Sequence, residues 1–431
     1  MKKFLIATLL LALAFSAYAQ EEIKKTGLNF GPLPAIGYSS DLGWHYGALS
    51  DIYWYGDGSK YPDYVWKANV EVSRYSKGNT VLHSFFDSKY MIPGLRVSAS
   101  VSWFGNKTTN FYGFNGASSL YDSALDGIVN GAGFYLMKRN IFRVQTCFQG
   151  TIGDSNWGWA GGLTYWNITT GHAVNKDLDY SSDHSLYDIY VENDIIPAAE
   201  KNGGQHLEGK LGVVFDTRDH ENNPQRGTNF ELYVFGSPDI ISHHDNSYLK
   251  LAAHFKQFFT LVPGRLVFGG HLAYQGLIAG NAPFYMLQTI QSINMKQINT
   301  EGLGSTCTLR GTVTNRLQGN GYAWMNTELR WSFAKFRWIN QNWTLATNPF
   351  FDMGMVVQPY RQEQLEKLAT YYTGNKEKLH MSAGLGLHVI MNQNFNINFE
   401  FGKAFYDGMK MGWKNNDGAG LGINVGLNYI F

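Results

Sequence analysis

The sequence predicts an all-β protein, a 16-stranded antiparallel transmembrane β-barrel of the outer membrane. Three observations lead to this prediction: the composition, an export signal at the start of the chain, and segments in which apolar and polar residues alternate. Of the 431 residues, 15% are aromatic, 48 are glycine and 16% are charged. A soluble domain usually carries about a quarter charged residues, so this composition favours a membrane barrel.

The first residues have the three parts of a secretory signal. Lys2 and Lys3 supply the positive start, Phe4 begins an apolar core, and residues 17–19 (Ala-Tyr-Ala) form a small-x-small cleavage site. The core is too short for a transmembrane anchor, and no later stretch of about 20 apolar residues predicts a membrane helix. Without this leader the chain is almost neutral, which gives no sign of a nucleic-acid partner.

Apolar and polar residues alternate near the end of the chain. In "LGINVGLNYIF" (residues 421–431), Ile423, Val425 and the final Phe431 share one face, and Asn424 lies on the other. The segments "FNINFEFG" (395–402) and "LHMSAGLGLHVIM" (379–391) repeat this period of two. One face of such a strand meets lipid and the other a wet lumen, and the sheet closes because backbone groups in lipid need internal partners. We expect Phe431 to lie at the membrane interface.

Candidate strands recur at short spacing from Trp44 to Phe431, and 16 of them can be counted. An even number brings both ends of the barrel to the periplasmic side. The predicted division is therefore a signal peptide (1–19), a short periplasmic segment (20–43) and the barrel (44–431). Three long connections, residues 169–207, 276–321 and 358–379, are expected to face outward.

Two acidic residues are predicted to point into the lumen. In "WMNTELRW" (324–331) and "PFFDMGMVV" (349–357), the apolar residues of the outer face leave Glu328 and Asp352 on the inner face. The planar fork of Arg310, in the preceding loop, can bind both carboxylates, and Gly311 lets the backbone turn closely beside that contact. We expect this loop to tuck into the barrel. The alternative is an ordinary exposed loop arginine.

Several segments resemble one family. "TLRGT" (308–312) is similar to the V-R-G-F/Y signature in the sixth extracellular loop of the Omp85 superfamily of outer-membrane insertases and translocases. "FFDMGMVV" (350–357) and "MSAGLGL" (381–387) resemble the family's strands 13 and 14, and "GVVFDTRDHENNPQRGTNFEL" (212–232) resembles the D-x-R-D hairpin of its surface-antigen domain. The resemblance implies that Arg310 packs against carboxylates of strands 12 and 13, where Glu328 and Asp352 lie.

Two features depart from the family pattern. Leu309 and Thr312 replace the usual residues that flank the loop arginine, so the aromatic part of that contact is not implied. Residues 20–43 leave no room for a periplasmic POTRA domain, and the chain resembles the POTRA-less branch of Bacteroidota-type bacteria. "PLPAIGYSSDLGWHYGAL" (32–49) is similar to the start of such barrels. Cargo is then expected to arrive through a separate partner or directly from the membrane.

The resemblance implies a barrel that assists insertion or translocation of protein, or passage of lipid. The expected mechanism is a weak seam between the first strand (44–55) and the last (421–431), where side-chain packing is reduced at Gly43, Gly47, Gly422 and Gly426. Expected partners are outer-membrane lipid, a client outer-membrane protein or periplasmic partner, and a second copy in a homodimer. No cofactor, metal or enzymatic activity is expected. The alternatives are a passive channel or structural barrel, and then an outer-membrane hydrolase.

Other groups of residues have less specific interpretations. A polar turn that satisfies its own hydrogen bonds, or alternatively a periplasmic contact point, is predicted at Asp216, Arg218, Asp219, Pro224 and Gly227. Residues 243–245 (His-His-Asp) lack a fourth ligand for zinc, and we expect a solvated hairpin tip there. Whether Cys147 and Cys307 form a disulfide is left open by the sequence.

Overall fold

The computed structural model describes residues 23–39, 43–175, 177–179, 185–241, 246–293, 302–304, 308–404, 422–427, 429 and 431. Within these ranges, sixteen strands form one antiparallel sheet that closes into a barrel, with each strand beside its neighbours in the chain and β1 beside β16. The predicted fold class is confirmed. The predicted signal peptide, residues 1–19, lies outside the described residues.

The strands run from the N-terminal part of the chain to its end and are numbered in order. Their bounds are β1 Leu28–Ser39, β2 Gly43–Trp54, β3 Trp66–Tyr75, β4 Thr80–Ile92, β5 Leu95–Asn110, β6 Leu136–Thr151, β7 Trp157–His172, β8 Gly204–Asp216, β9 Gly227–Ser237, β10 Tyr248–Val262, β11 Leu266–Gly280, β12 Gly321–Trp338, β13 Gln341–Gln358, β14 His380–Met391, β15 Phe395–Ala404 and β16 Gly422–Leu427. The helices and 3-10 turns of the described residues are α1 Leu186–Glu192, α2 Gln362–Glu366, Gly116–Ser118, Ser123–Leu125 and Phe284–Met286. Across the described parts of the chain, every helix is too short or too polar to cross a membrane.

The barrel wall has the reverse of the polarity of a soluble protein. Its outer surface carries large apolar side chains such as Leu211 and Leu272, which are 64% and 58% exposed. Its interior is filled with polar and charged side chains, and His271, Glu328 and Asp352 are all buried. Lipid accounts for the apolar outer face, and hydrogen bonding between side chains accounts for the inner one.

The two ends of the barrel differ in the length of their connections. Short turns such as residues 93–94, 263–265 and 339–340 lie at one end. Long connections lie at the other end, which is the extracellular one in such barrels. We number them by their order at that end: loop 3 (111–135), loop 4 (173–203), loop 6 (281–320) and loop 7 (359–379). Loop 3 was not predicted to be long.

The barrel begins earlier than the sequence pattern indicates. β1 lies inside residues 20–43, which were predicted as a periplasmic segment, so the predicted boundary at residue 44 is wrong. All twelve residues of β1 pair with β2. The sequence did not predict this strand, because Pro32 and Pro34 lack the N–H that a strand interior normally needs.

The strand that meets β16 is therefore β1, and the predicted seam partner at residues 44–55 is wrong. Gly43 and Gly47 lie on β2, between β1 and β3. A Cβ at Gly47 would lie 2.3 Å from the carbonyl oxygen of Val72, so this glycine permits close packing of β2 on β3. Gly422 and Gly426 do lie on β16, the strand beside β1.

Candidate functional site

Arg310 of loop 6 lies inside the barrel and is 2% exposed. Its Nε and Nη2 donate hydrogen bonds to the two carboxylate oxygens of Asp352 on β13, at 2.9 and 2.8 Å, and its backbone N–H donates to the same carboxylate at 3.0 Å. Its Nη1 donates to Glu328 on β12 at 2.5 Å. The structure thus brings together the three residues that strand parity and the family resemblance had paired.

Two further residues complete the surroundings of Arg310. Glu400 of β15 accepts a hydrogen bond from Nη1 at 3.0 Å, and the ring of Phe350 lies with its centroid 3.7 Å from the guanidinium carbon. A planar guanidinium suits both a bidentate carboxylate and a stacked ring. The sequence analysis missed both residues, because strand parity assigns a face to a residue but does not say which strands meet inside the barrel.

Gly311 lets the backbone of loop 6 touch β15. Its φ of +84° lies in the left-handed region that favours glycine. A Cβ at this position would lie 2.6 Å from the backbone of Gly402 and Lys403. The close approach is mutual, since a Cβ at Gly402 would lie 2.9 Å from the Gly311 nitrogen. Both positions need glycine if loop 6 is to rest on the wall.

Apolar side chains hold further described residues of loop 6 against β12 and β13. Leu303, Leu309 and Leu317 are fully buried in a cluster that includes Tyr322 of β12. Leu309, a departure from the family pattern, therefore contributes apolar burial beside the arginine. A polar contact adds to this cluster, because the side-chain amide of Asn326 donates to the Thr308 carbonyl at 2.6 Å.

An inward-folded loop arginine with acidic partners on neighbouring strands agrees with the loop signature noted in the sequence. The sequence also matches the Omp85 superfamily domain over residues 66–431. The chain belongs to the Omp85 superfamily. The match begins at the first residue of β3 and includes Arg310 and all three of its acidic partners.

Two solved structures share the fold of this Omp85 barrel. BamA from Haemophilus ducreyi, in a form lacking POTRA domains 1–3, has a TM-score of 0.51 and 16% sequence identity over 94% of this chain and 70% of that chain. CdiB from Escherichia coli has a TM-score of 0.57 and 11% identity over 95% of this chain and 64% of that chain. No curated protein matches the chain in sequence. At these identities the likeness establishes an outer-membrane barrel fold.

A second arginine of the Omp85 barrel shares Glu328 with Arg310. Arg330 on β12 donates from Nε to Glu328 at 2.8 Å and from Nη2 to the backbone oxygen of Phe431 at 2.8 Å. The centroid of the Tyr429 ring lies 3.9 Å from its guanidinium carbon. One carboxylate therefore contacts both the arginine that holds loop 6 and the arginine that holds the last residues of the chain.

Phe431 was predicted at the membrane interface, and this prediction is wrong. Its side chain lies inside the barrel, with its ring centroid 6.0 Å from that of Phe258 and 5.4 Å from that of His271. The regular strand β16 ends at Leu427, so the period of two no longer governs the residues after it.

Loops 3, 4, 6 and 7 pack together over the extracellular mouth, and we call this assembly the loop dome. One buried apolar cluster joins Phe111 and Phe114 of loop 3, Tyr190 of loop 4, Phe284 of loop 6 and Tyr360 of loop 7. Burial raises the pKa of Tyr190 to about 12, so its phenol stays neutral at physiological pH. An open pore at this end would require the cluster to separate.

Glu200 ties three loops of the dome together by polar contacts. This buried carboxylate of loop 4 accepts hydrogen bonds from Arg361 of loop 7 at 2.7 Å and from the backbone N–H of Phe284 of loop 6 at 2.9 Å. The hydroxyl of Tyr360 donates to it at 3.3 Å. A charge buried with these donors is costly to expose alone, which favours a closed dome.

The segment "DHSLYD" (183–188) holds the residue types of a hydrolase site, and of these Ser185 and Asp188 lie within the described residues, whereas Asp183 and His184 do not. Ser185 and Asp188 bond reciprocally as the capping box of α1, and His172 contacts the other oxygen of Asp188 at 2.9 Å. In a catalytic triad the histidine lies between the serine and the acid. Here the acid lies between the other two, and these residues cap a helix.

The predicted periplasmic turn residues come together between β8 and β9. Arg218 donates to Asp216 at 2.6 Å, and Asp219 accepts from the backbone N–H of Gln225 at 2.9 Å. Pro224 is buried, and Gly227 has a φ of +106°. These contacts are those of a polar turn that satisfies its own hydrogen bonds.

The same turn also reaches across the periplasmic mouth of the barrel. Glu221 forms ion pairs with Lys89 of β4 at 2.7 Å and Arg96 of β5 at 3.1 Å. Asn222 donates to Asn394, in the turn between β14 and β15, at 2.9 Å. The sequence analysis missed these residues, because nothing local marks a side chain that contacts the opposite wall. Turn and dome together cover both ends of the lumen.

Two remaining sequence features carry no site in the described residues. Within the ranges given above, no group of three histidine, cysteine, aspartate or glutamate residues is placed to hold a metal ion. Residues 243–245 and Cys307 lie outside those ranges. Cys147 of β6 is buried and carries a free thiol.

Proposed function

We propose that this Omp85 barrel assists the insertion or translocation of client protein, or the passage of lipid, through a seam between β1 and β16. The observation that carries the proposal is the weakness of that junction. Among the described residues, β1 and β16 share one register pair, Ser39 with Asn424, whereas all twelve residues of β1 pair with β2. Unpaired backbone groups at a strand edge can accept an incoming chain or separate to admit lipid.

The filled lumen supports a lateral route for cargo. Loop 6 occupies the interior through Arg310, the loop dome covers one mouth, and the turn at Glu221 crosses the other. Cargo on an axial path would have to displace buried ion pairs and a packed aromatic cluster. Cargo at the seam would separate strands that are joined by far fewer backbone contacts.

The Arg310 contacts support a bracing role for loop 6. The guanidinium contacts β12, β13 and β15, and the backbone of Gly311 rests on β15, the strand next to β16. A wall with a weak junction loses hydrogen bonding along one line, and contacts that cross the lumen can compensate for part of that loss. We therefore assign Arg310, Glu328, Asp352 and Glu400 to bracing rather than to chemistry.

The seam can be tested by locking it with a disulfide. Ser39→Cys and Asn424→Cys, in a chain whose native cysteines are changed to serine, places two thiols at facing positions of neighbouring strands, where a disulfide fits. The protein is folded into liposomes, and two activities are measured: assembly of a small unfolded outer-membrane barrel, followed by protease resistance, and exchange of a fluorescent phospholipid between leaflets. We expect oxidation to abolish the activity that the wild type shows, and reduction to restore it.

The matched control is Val101→Cys with Val144→Cys, a facing pair on β5 and β6 far along the wall from the seam. Oxidation of this pair should leave both activities unchanged. Full activity of the oxidised seam variant would refute the proposal. A steady conductance in planar bilayers that ignores oxidation of the seam would instead favour a passive channel.

A further inference from the structure

The junction between β1 and β16 is joined near its extracellular end. Ser39 and Asn424, the facing pair, lie at the extracellular end of β1 and near the extracellular end of β16. From there the two strands run towards the periplasm, and the described residues show no further register pair between them. The periplasmic half of the seam is the part that lacks a ladder.

The direction of the backbone N–H groups on β1 follows from its ladder with β2. The N–H of Gly27 donates to the carbonyl of Gly56 at 2.8 Å, and the N–H of Tyr55 donates to the carbonyl of Gly27 at 2.9 Å, so both backbone groups of residue 27 point to the β2 side. Along an antiparallel ladder hydrogen-bonded pairs alternate with non-bonded pairs. Odd-numbered residues of β1 therefore direct their N–H groups to β2, and even-numbered residues direct theirs to β16. Residues 32 and 34 are even-numbered, and both are proline.

The facing pair among the described residues gives the positions opposite these two prolines in the last residues of the chain. Ser39 faces Asn424, so the numbers of facing residues add to 463. In that register Pro34 would face Tyr429, and Pro32 would face Phe431. These are the positions where a complete ladder would exchange two hydrogen bonds per pair, and proline can supply no N–H at either.

Tyr429 and Phe431 are also the residues that leave the wall. Tyr429 stacks on His388 with ring centroids 4.2 Å apart and lies over the guanidinium of Arg330. The backbone oxygen of Phe431 accepts a hydrogen bond from Arg330, and its ring packs beside that of Phe258 of β10. Both side chains are buried there. The interior thus supplies contacts that replace those lost at the seam.

We infer that Pro32 and Pro34 keep the periplasmic half of the seam unzipped, and that Arg330 holds the released residues Tyr429 and Phe431 inside the barrel. The prolines remove the donors that would close the ladder, and the Arg330 site stabilises the alternative position of its would-be partners. The seam is therefore open because two residues of β1 lack backbone donors, and not because hydrogen bonds between β1 and β16 break transiently.

This inference limits where a client strand could pair with β1, and that consequence for cargo rests on the proposed function. A client strand that adds to β1 would meet the same two missing donors as β16 does. β1 is therefore a poor template over its periplasmic half, and an extended client strand gains a continuous ladder from Ile36 onward at most.

The test is amide hydrogen exchange of β1 in the folded protein, reconstituted in lipid nanodiscs and resolved to single residues by fragmentation. In the wild type, the amide of Ile36, which would face Leu427 in a complete ladder, should exchange fast, and those of Asn29 and Gly31 should be protected by β2. Pro32→Thr with Pro34→Thr and Arg330→Gln restores the donors and releases the last residues. We expect the Ile36 amide to slow about tenfold or more in this variant, and the new amides at positions 32 and 34 to be protected.

Two controls keep the outcome interpretable. Pro349→Thr changes a proline of β13, away from the seam, and should leave the amides of β1 unchanged. Pro34→Thr alone is the milder variant if the triple variant folds poorly, and it should slow Ile36 by a smaller factor. Protection of the Ile36 amide already present in the wild type would overturn the inference, and so would unchanged Ile36 exchange in the folded triple variant.

The exchange result and the disulfide result separate the two claims. If exchange slows as expected but a locked seam keeps full activity, the role of the prolines stands and the proposed function fails. If a locked seam abolishes activity but exchange does not change, the proposed function stands and the prolines do not control the seam. Efficient cross-linking of a synthetic client strand along Leu28–Pro34 in register with β1 would also refute the consequence for cargo.

Discussion

Arg310→Ala is the perturbation with the largest expected effect on the folded barrel. It removes a guanidinium that donates to Glu328, Asp352 and Glu400 and stacks on Phe350. Three carboxylates then remain in the same buried site with Arg330 as the nearest cation. The variant tests whether loop 6 is held in the lumen by these contacts.

The size of the effect follows from the burial of the site. Removing one partner of a buried ion pair typically costs about 3–5 kcal/mol, because the other charge stays buried without compensation. Arg310 and its acidic partners are each at most 2% exposed in their side chains, so little water is available to relieve that cost. For a chain of this length we expect the melting temperature to fall by about 3–10 °C.

The assay is the loss of the folded form on semi-native gels as a function of temperature, with limited proteolysis of loop 6 in parallel. Arg310→Lys keeps one charge but loses the fork and the stacked plane, so it should fall between the wild type and the alanine variant. Arg74→Ala, at an exposed position of β3, is the matched arginine control and should melt as the wild type does. Unchanged melting and unchanged protease sensitivity of Arg310→Ala would refute the bracing role.

Three further predictions follow from contacts elsewhere in the site. Gly311→Ala places a Cβ 2.6 Å from the backbone of Gly402 at a φ of +84°. This variant should lower the free energy of unfolding by about 1–3 kcal/mol and speed proteolytic cleavage of loop 6. A variant as stable and as resistant to protease as the wild type would contradict the close approach. Glu221→Gln weakens two partly exposed ion pairs, so the turn of residues 217–226 should be cleaved faster from the periplasmic side, with a stability loss of about 1 kcal/mol or less in urea titration. Glu200→Ala leaves Arg361 without its carboxylate partner in the loop dome, so protease should cut loops 4 and 7 faster while the strands stay intact. Cleavage at the wild-type rate would argue against a dome held by this residue.

Strand parity carried the prediction of the Arg310 site further than composition did. Glu328 and Asp352 were placed on the inner face because a lipid-facing acid is costly, and that rule depends only on neighbours two residues away. Glu400 sits in an alternating segment of the same kind and has the same inner face. It was not paired with Arg310, because its approach to the arginine depends on how sixteen strands curve around a closed lumen.

The first and last strands show the opposite limit. Pro32 and Pro34 interrupt the local pattern, and the resulting prediction of a periplasmic segment removed β1 from the barrel. Phe431 fits the pattern of an outer face, and the prediction placed it towards lipid. Both errors come from treating the seam as an ordinary part of the wall, although it is the place where the ladder is incomplete.

The sequence alone determined the membrane barrel, the inner position of two acids and the family, because each depends on the period of two or on short motifs. The tertiary structure decided which strands meet at the seam, which third acid reaches Arg310, and where the chain's last aromatic side chains lie. Those outcomes depend on contacts between residues far apart in the chain, which only the closure of the barrel brings within a few ångströms.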